Sequence, residues 1–326
     1  MGTMVMLIGY TSALAYWRLV GPSFVPGYRA REKATRQART SLTMPHRPQL
    51  GEGNRRPAGC ALPVHALVGD AAARTETKSV VSHTWASVPD KSFVNAGNGF
   101  LVSTPEFCFL QMAALLPLAQ LVQLGMELCG TYALVEDGPA ATRDAPLTTV
   151  TRLRAFVDAA HGMPGRAKAL RAVRYVENGS ASPMESILAM MLYLPYKLGG
   201  YGLERPVLNH QVDVPHSMRS LADRSYCRCD LCWPSRKLAV EYDSRLRHED
   251  LAKQESDARR RSTLIALGFT VVTVFPPQVM DGGAFNRLAR QLAKLTGKRL
   301  RYEDPGFTHK HLALREQLFE GMAIER

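Results

Sequence analysis

The chain has 326 residues, 46% hydrophobic and 21% charged, enough apolar material for two modest cores and too much for a chain disordered throughout. Its 41 Lys and Arg against 29 Asp and Glu leave a net charge of +12, so a polyanionic partner is expected, nucleic acid first and an anionic membrane surface second. Six cysteines, three of them crowded between Cys227 and Cys232, do not form the pattern of a secreted disulfide framework, and a reducing cytoplasm is the expected compartment.

The apolar opening MVMLIGYTSALAYW lacks a basic leader and a small-residue cleavage site, and Arg18 interrupts it short of a membrane span. No later run is long and charge-free enough to cross a bilayer, so a soluble protein with no membrane segment is expected. From about Gly21 to Gly59 the sequence turns basic and rich in Pro, Gly and Thr, with little periodicity. It reads as an exposed arm, either a solvated linker or a phosphate-contacting segment, and residues 1–60 form the first region.

Residues 61–178 mix short strand-like pieces with the apolar stretch TPEFCFLQMAALLPLAQLVQLGMELCG. Thr104 can cap this helix, Pro105 suits its first position, Glu106 suits the positive end of its dipole, and Pro117 should divide it. Two further helices are expected near Val150–Ala160 and Arg166–Glu177. The second carries Arg166, Lys168, Arg171 and Arg174, either a solvated face or a contact for the nucleic-acid backbone.

From residue 179 to 300 the order is more legible. Ser182, Pro183 and Glu185 read as N-cap, N1 and N3 of a helix. Strands are expected near Leu208–Val214, Tyr226–Leu231 and Lys237–Asp243, then a helix near Glu249–Leu267 ended by Gly268, a strand FTVVTVF and a closing helix. Residues 301–326 read as a tail. The succession calls for an α/β fold, a sheet covered by helices on both faces, preceded by a smaller α/β region.

Strand alternation places Lys237, Ala239, Glu241 and Asp243 on one face, with the two carboxylates roughly 7 Å apart. Asp230, on the preceding strand, can approach them. Carboxylates gathered in this way repel unless a cation neutralises them, and hard oxygen ligands suit Mg²⁺ or Mn²⁺. The same segment offers a different chemistry. Cys227, Cys229 and Cys232, with His216 or His210, would supply four ligands for a structural Zn²⁺ if the chain turned near Trp233 and Pro234 to bring Cys232 round to its partners' face; otherwise the thiols are simply buried.

Asp230, then Glu241-Tyr242-Asp243, then His248, and Asp257, Arg260, Leu264 and Gly268 beyond, resemble the PD-(D/E)XK nuclease superfamily, most nearly its very-short-patch-repair-like branch, over roughly Ser182 to Val279. The resemblance implies a restriction-endonuclease-like three-layer αβα sandwich with a mixed central sheet. It further implies Asp230 and Glu241 as ligands of a divalent metal, Asp243, where the commoner pattern has lysine, ligating or orienting the water, Glu185 completing the outer sphere, His248 positioning or deprotonating water, and Arg260 with its neighbours neutralising phosphates. Either Lys237, on the same strand face and also a candidate nucleic-acid contact, or His248 would stand in for the missing lysine; otherwise turnover is lost. A weaker likeness of VSTPEFCFLQMA to proteins related to type IV abortive-infection antitoxins implies a protein partner in a defence or toxin–antitoxin system. Two functions are therefore expected to compete: a metal-dependent DNA endonuclease or nickase in defence or repair, and a catalytically inactive DNA-binding or antitoxin-like regulator. A zinc-stabilised interaction module is the third.

Overall fold

A computed structural model of the chain describes residues 5–44, 46–50, 55–136, 138–222, 224–244, 251–300 and 306–320. It divides into two compact units, Met1–Val176 and Glu177–Arg326. No helix among the described residues is long and apolar enough to cross a membrane.

The first unit opens with β1 (Met6–Ile8) and α1 (Tyr10–Val20), followed by α2 (Tyr28–Leu42), β2 (Val64–Val68), β3 (Val80–Thr84), β4 (Phe93–Gly97) and β5 (Phe100–Ser103). These strands form one mixed sheet in the order β3-β2-β1-β5-β4. Met6, Leu7 and Ile8 are all buried, which suits a central strand covered on both faces. Residues 1–60, read from the sequence as a separate segment, thus supply the middle strand and two helices, and the expected arm contains α2. Its period was obscured because Ala34, Thr35, Ala38, Ser41 and Leu42, a face of small residues, are what it buries.

Helices α3 (Pro105–Met112), α4 (Leu118–Leu128), α5 (Val150–Ala159) and α6 (Arg166–Val173) complete the unit, with a short ribbon of β6 (Tyr132–Ala133) and β7 (Ala141–Thr142). Thr104 caps α3 as expected, and Pro117 stands at the N-cap of α4, dividing the apolar stretch in two. Polar chains lock the sheet to its helices. The Trp17 indole donates to Ser103 O at 2.7 Å, Ser103 Oγ to Ile8 O at 3.0 Å, and Gln111 Oε1 accepts from Tyr10 N at 2.9 Å. On α6, Arg166 donates to Val157 O and Asp158 O, and Lys168 to Leu116 O, so these two cations serve the fold.

On adjacent parallel strands, His65 Nδ1 and His83 Nε2 lie 2.8 Å apart, and the Tyr10 ring stacks on His83. Burial lowers both imidazoles, and the facing His65 and Arg74 charges help bring His83 down to about 4. A depressed histidine contributes stability that is present above its unfolded value near 6.5 and lost as pH falls through the folded one. Since both rings are half-exposed, the contribution is about 1 kcal/mol once screening is discounted. Urea midpoints of wild type and His83→Gln, compared between about pH 7 and about pH 4.5, should converge at the acid end; parallel curves would remove the histidine pair from the account.

The second unit comprises α7 (Pro183–Tyr193), β8 (Val207–Asp213), β9 (Tyr226–Trp233), β10 (Leu238–Tyr242), α8 (Leu251–Ala266), β11 (Thr270–Val274), α9 (Pro276–Met280), α10 (Gly282–Leu295) and α11 (Phe307–Phe319). Its mixed sheet runs β11-β10-β9-β8, antiparallel except for the β10–β11 pair. β10 is buried residue after residue from Leu238 to Glu241, so both of its faces are covered. α7 is apolar nearly all round and buried to match, with Ser182 Oγ accepting from Glu185 N at 3.1 Å.

Residues 301–326, read as a tail, include the core helix α11. Its buried Arg315 donates to Val279 O and Met280 O at the end of α9, and His311 bonds Gly199 O at 2.8 Å. That approach needs Gly199, whose φ is +87° and where a Cβ would stand 2.3 Å from Lys310 O.

Candidate active site

Three carboxylates converge on the second sheet from separate elements. Glu241, next to last on β10, is 5% exposed. Its Oε2 accepts from Arg260 Nη2 at 2.6 Å, whereas its Oε1 is buried with no hydrogen-bond partner among the described residues. Asp230 on β9 accepts from Tyr242 N at 2.7 Å through Oδ2, and so lies beside the strand that carries Glu241. Glu185, in the first turn of α7, accepts through Oε2 from Ala181 N at 2.9 Å and Asn209 Nδ2 at 2.6 Å. Ser182 caps the helix through Glu185 N, while the Glu185 carboxylate reaches Ala181 N, one residue before the cap, and Asn209.

Their electrostatics follow from burial that nearby arginines only partly offset. Burial first, then the charge of Asp230, pushes Glu185 up to about 7 and Glu241 up to about 8, in the second case against the pull of Arg260 and Arg261. Asp230 is raised by burial, against the Tyr242 amide and Arg260, while Asp257 and Asp243 add to the rise. Carboxyls displaced together in this way mark a place where negative charge is concentrated.

The other expected residues fall at different places. Asp243 follows β10, half-buried, its N–H donating to Val274 O, and its charge bears on Asp230. His248 lies outside the described residues. Arg260 on α8 bridges Glu241 and, at 3.5 Å, Asp257. Lys237 lies on the α8 side of β10, as Arg260 does, but away from the carboxylates. It precedes β10 with φ +48°, its Nζ sits 4.8 Å from the centre of the Phe269 ring, and it belongs to the far end of the strand. Arg171 on the first unit's α6 and Arg174 at its C-cap are exposed.

The cysteines also differ from strict alternation. Cys227, Cys229 and Cys232 pack in a single apolar cluster with Val214, Ala239, Leu264 and Phe269, where alternation sets Cys232 apart from the other two. On β9 the ladder pairs to both neighbours lapse at Asp230, between Cys229 and Cys232, and opposite it on β8 Asn209 has φ +48°. All three thiols are free and buried. His210 pairs with Cys229 across the strands, and His216 is exposed on a 3-10 turn. As the side chains stand, no group of three or more His, Cys, Asp or Glu among the described residues is arranged to hold a metal.

Beside the carboxylates lies a groove of about 290 Å³ between β9 and α8, lined among others by Arg224, Arg228, Arg260, Tyr226, Ser256 and Asp257. The sequence reading missed Arg224, Arg228 and Asn209. Arg228 could have been found, because alternation between the buried Cys227 and Cys229 turns it outward; Asn209 gives no such signal.

Against protein-family models, curated proteins and solved structures, the chain finds no match. Functional assignment therefore rests on the site.

Proposed function

We propose that the second unit is a restriction-endonuclease-like αβα sandwich and that the protein is a metal-dependent DNA endonuclease or nickase acting in defence or repair. The observation that carries this reading is the buried Glu241 with one oxygen unpartnered, set beside Asp230 and Glu185 on a β-β-β-α-β succession. A divalent cation fits that donor set: Asp230 and the free oxygen of Glu241 would hold Mg²⁺ or Mn²⁺, with Glu185 behind them. When bound, the metal polarises the phosphate and stabilises the departing oxygen. The chain's own residues do the rest. Arg224 and Arg228 neutralise phosphates along the groove, Arg260 serves both the groove and Glu241, and Glu185, titrating near neutrality, can exchange a proton with water.

One observation favours the rival reading, a catalytically inactive DNA-binding or antitoxin-like regulator. Arg260 already supplies a cation to Glu241, and the lysine of the commoner pattern is replaced by Asp243. Supercoiled plasmid incubated with the protein and Mg²⁺ or Mn²⁺ separates the two. Nicked or linear product that disappears with chelator and with Asp230→Ala is the expected result; DNA retention without any cut in either metal would leave the regulator.

A further inference from the structure

We infer that the first unit binds duplex nucleic acid through the exposed face of α2, by contact with the phosphate backbone. This inference is independent of phosphodiester cleavage and is tested with metal chelated, so that either reading can fail alone.

Within its 15 residues α2 carries five cations, Arg29, Arg31, Lys33, Arg36 and Arg39, against one acid, Glu32. Two cations are committed to the fold. Arg31 meets the buried Glu106 at 3.3 Å, and Arg39 meets Asp90 at 2.6 Å. The other three, Arg29, Lys33 and Arg36, are exposed and make no ion pair among the described residues. At 100° per residue they fall within about 60° of arc, on the side opposite the buried Ala34, Ala38 and Ser41.

A solvated helix face usually interleaves both signs. Here Arg29 and Lys33 are i,i+4 neighbours of like charge, which opposes the isolated helix by a few tenths of a kcal/mol. A polyanion removes that repulsion. The three charges span about 10 Å of helix axis, over which duplex DNA presents about six phosphates. A flanking groove of about 390 Å³ adds Lys91 and Arg152 beside Phe156, while its acids Glu106 and Asp90 are the partners of Arg31 and Arg39. Lys91 Nζ is held 4.2 Å from the centre of the exposed Tyr28 ring, fixing another cation at the start of the same helix.

The pose of α2 is rigid enough to present this stripe. Thr35 Oγ accepts from Phe93 N at 3.1 Å and Ser41 Oγ donates to Val5 O at 3.2 Å, tying the helix to β4 and to the chain entering β1. At its end, Leu42 O stands where a Cβ on Gly69 would lie 1.8 Å away, so the backbone just past β2 is in direct contact with the helix terminus.

The test uses the full chain, a mixed-sequence DNA duplex and fluorescence anisotropy at several salt concentrations in excess chelator. A variant with Arg29→Gln, Lys33→Gln and Arg36→Gln is compared with a control that loses the same charge elsewhere, Arg154→Gln, Arg287→Gln and Lys294→Gln. The α2 variant should bind at least about tenfold more weakly, and its slope of log affinity against log salt should fall by about 2.7, the counterion release of three contacts. The control should resemble wild type. Equal loss in both variants reduces the effect to net charge and overturns the inference. So does α2-dependent binding to phosphatidylserine vesicles with DNA affinity unchanged. An Arg29→Lys, Arg36→Lys variant, which keeps the charge, should retain binding; its failure to do so while correctly folded would equally overturn the backbone-contact inference.

Discussion

Glu241→Gln is expected to stabilise the metal-free protein at about pH 8 while abolishing metal-dependent cleavage. The wild-type carboxyl is pushed up to about 8, chiefly by burial and then by Asp230. Between its unfolded value near 4.5 and that point the folded chain holds a proton that the unfolded chain has released. The stability it contributes is therefore complete below the unfolded pKa and lost as pH rises through the folded one. Glutamine keeps the shape and cannot ionise, so the variant escapes the loss, by about 2 kcal/mol at the alkaline end after allowing for Arg260 losing one acceptor. Below about pH 5 the two proteins should be equally stable.

The same proton opposes metal binding, because a cation needs the ionised form. Wild type should bind Mg²⁺ more tightly as pH rises from about 6 to about 8, and thermal shift with added Mg²⁺ should grow in parallel. In Glu241→Gln that shift should vanish, and strand cleavage should fall at least about a hundredfold, the order lost when one preorganised electrostatic group is removed. A variant that is both more stable and fully active would take Glu241 out of the chemistry.

How much of this was legible from residues alone varied with the kind of signal. Elements fixed by local chemistry were readable: Ser182 and Thr104 at their caps, Pro117 between two helices, Gly268 at φ +83° ending α8. The carboxylates of the site were readable because charge inside a buried strand is rare, and Glu241 and Asp230 are both placed that way. What depended on tertiary pairing was not. β1 is only three residues long, too short for any period, and its place at the centre of a sheet comes from its pairing with β2 and β5. The helix α2 hid behind a small-residue face, and α11 behind the charged stretch before it. Strict alternation misplaced Cys232, because strand pairing lapses at Asp230 and no residue type there announces the change as glycine would.

Arg260→Met should have the opposite pH signature to Glu241→Gln. The guanidinium is the cation nearest the buried carboxylates, at 2.6 Å from Glu241 and 3.5 Å from Asp257, and its side chain is 40% exposed. Removing one partner of a buried pair destabilises by about 3–5 kcal/mol, and the exposure of Arg260 brings that down to about 1–2 kcal/mol. That loss should be present at about pH 8.5 and largely absent at about pH 6, where Glu241 holds a proton and needs no counter-charge. A metal ion would then supply what the arginine did. Thermal stabilisation by Mg²⁺ should therefore be larger in Arg260→Met than in wild type, where the cation must compete with a guanidinium already in place. Cleavage should not follow binding: with its phosphate-facing charge gone from the groove, the variant should cut more slowly at saturating Mg²⁺. Tighter metal binding joined to slower cleavage would assign Arg260 both jobs. An Mg²⁺ effect equal in the two proteins would mean that the arginine and the metal do not share Glu241, and that the ion pair serves the fold alone.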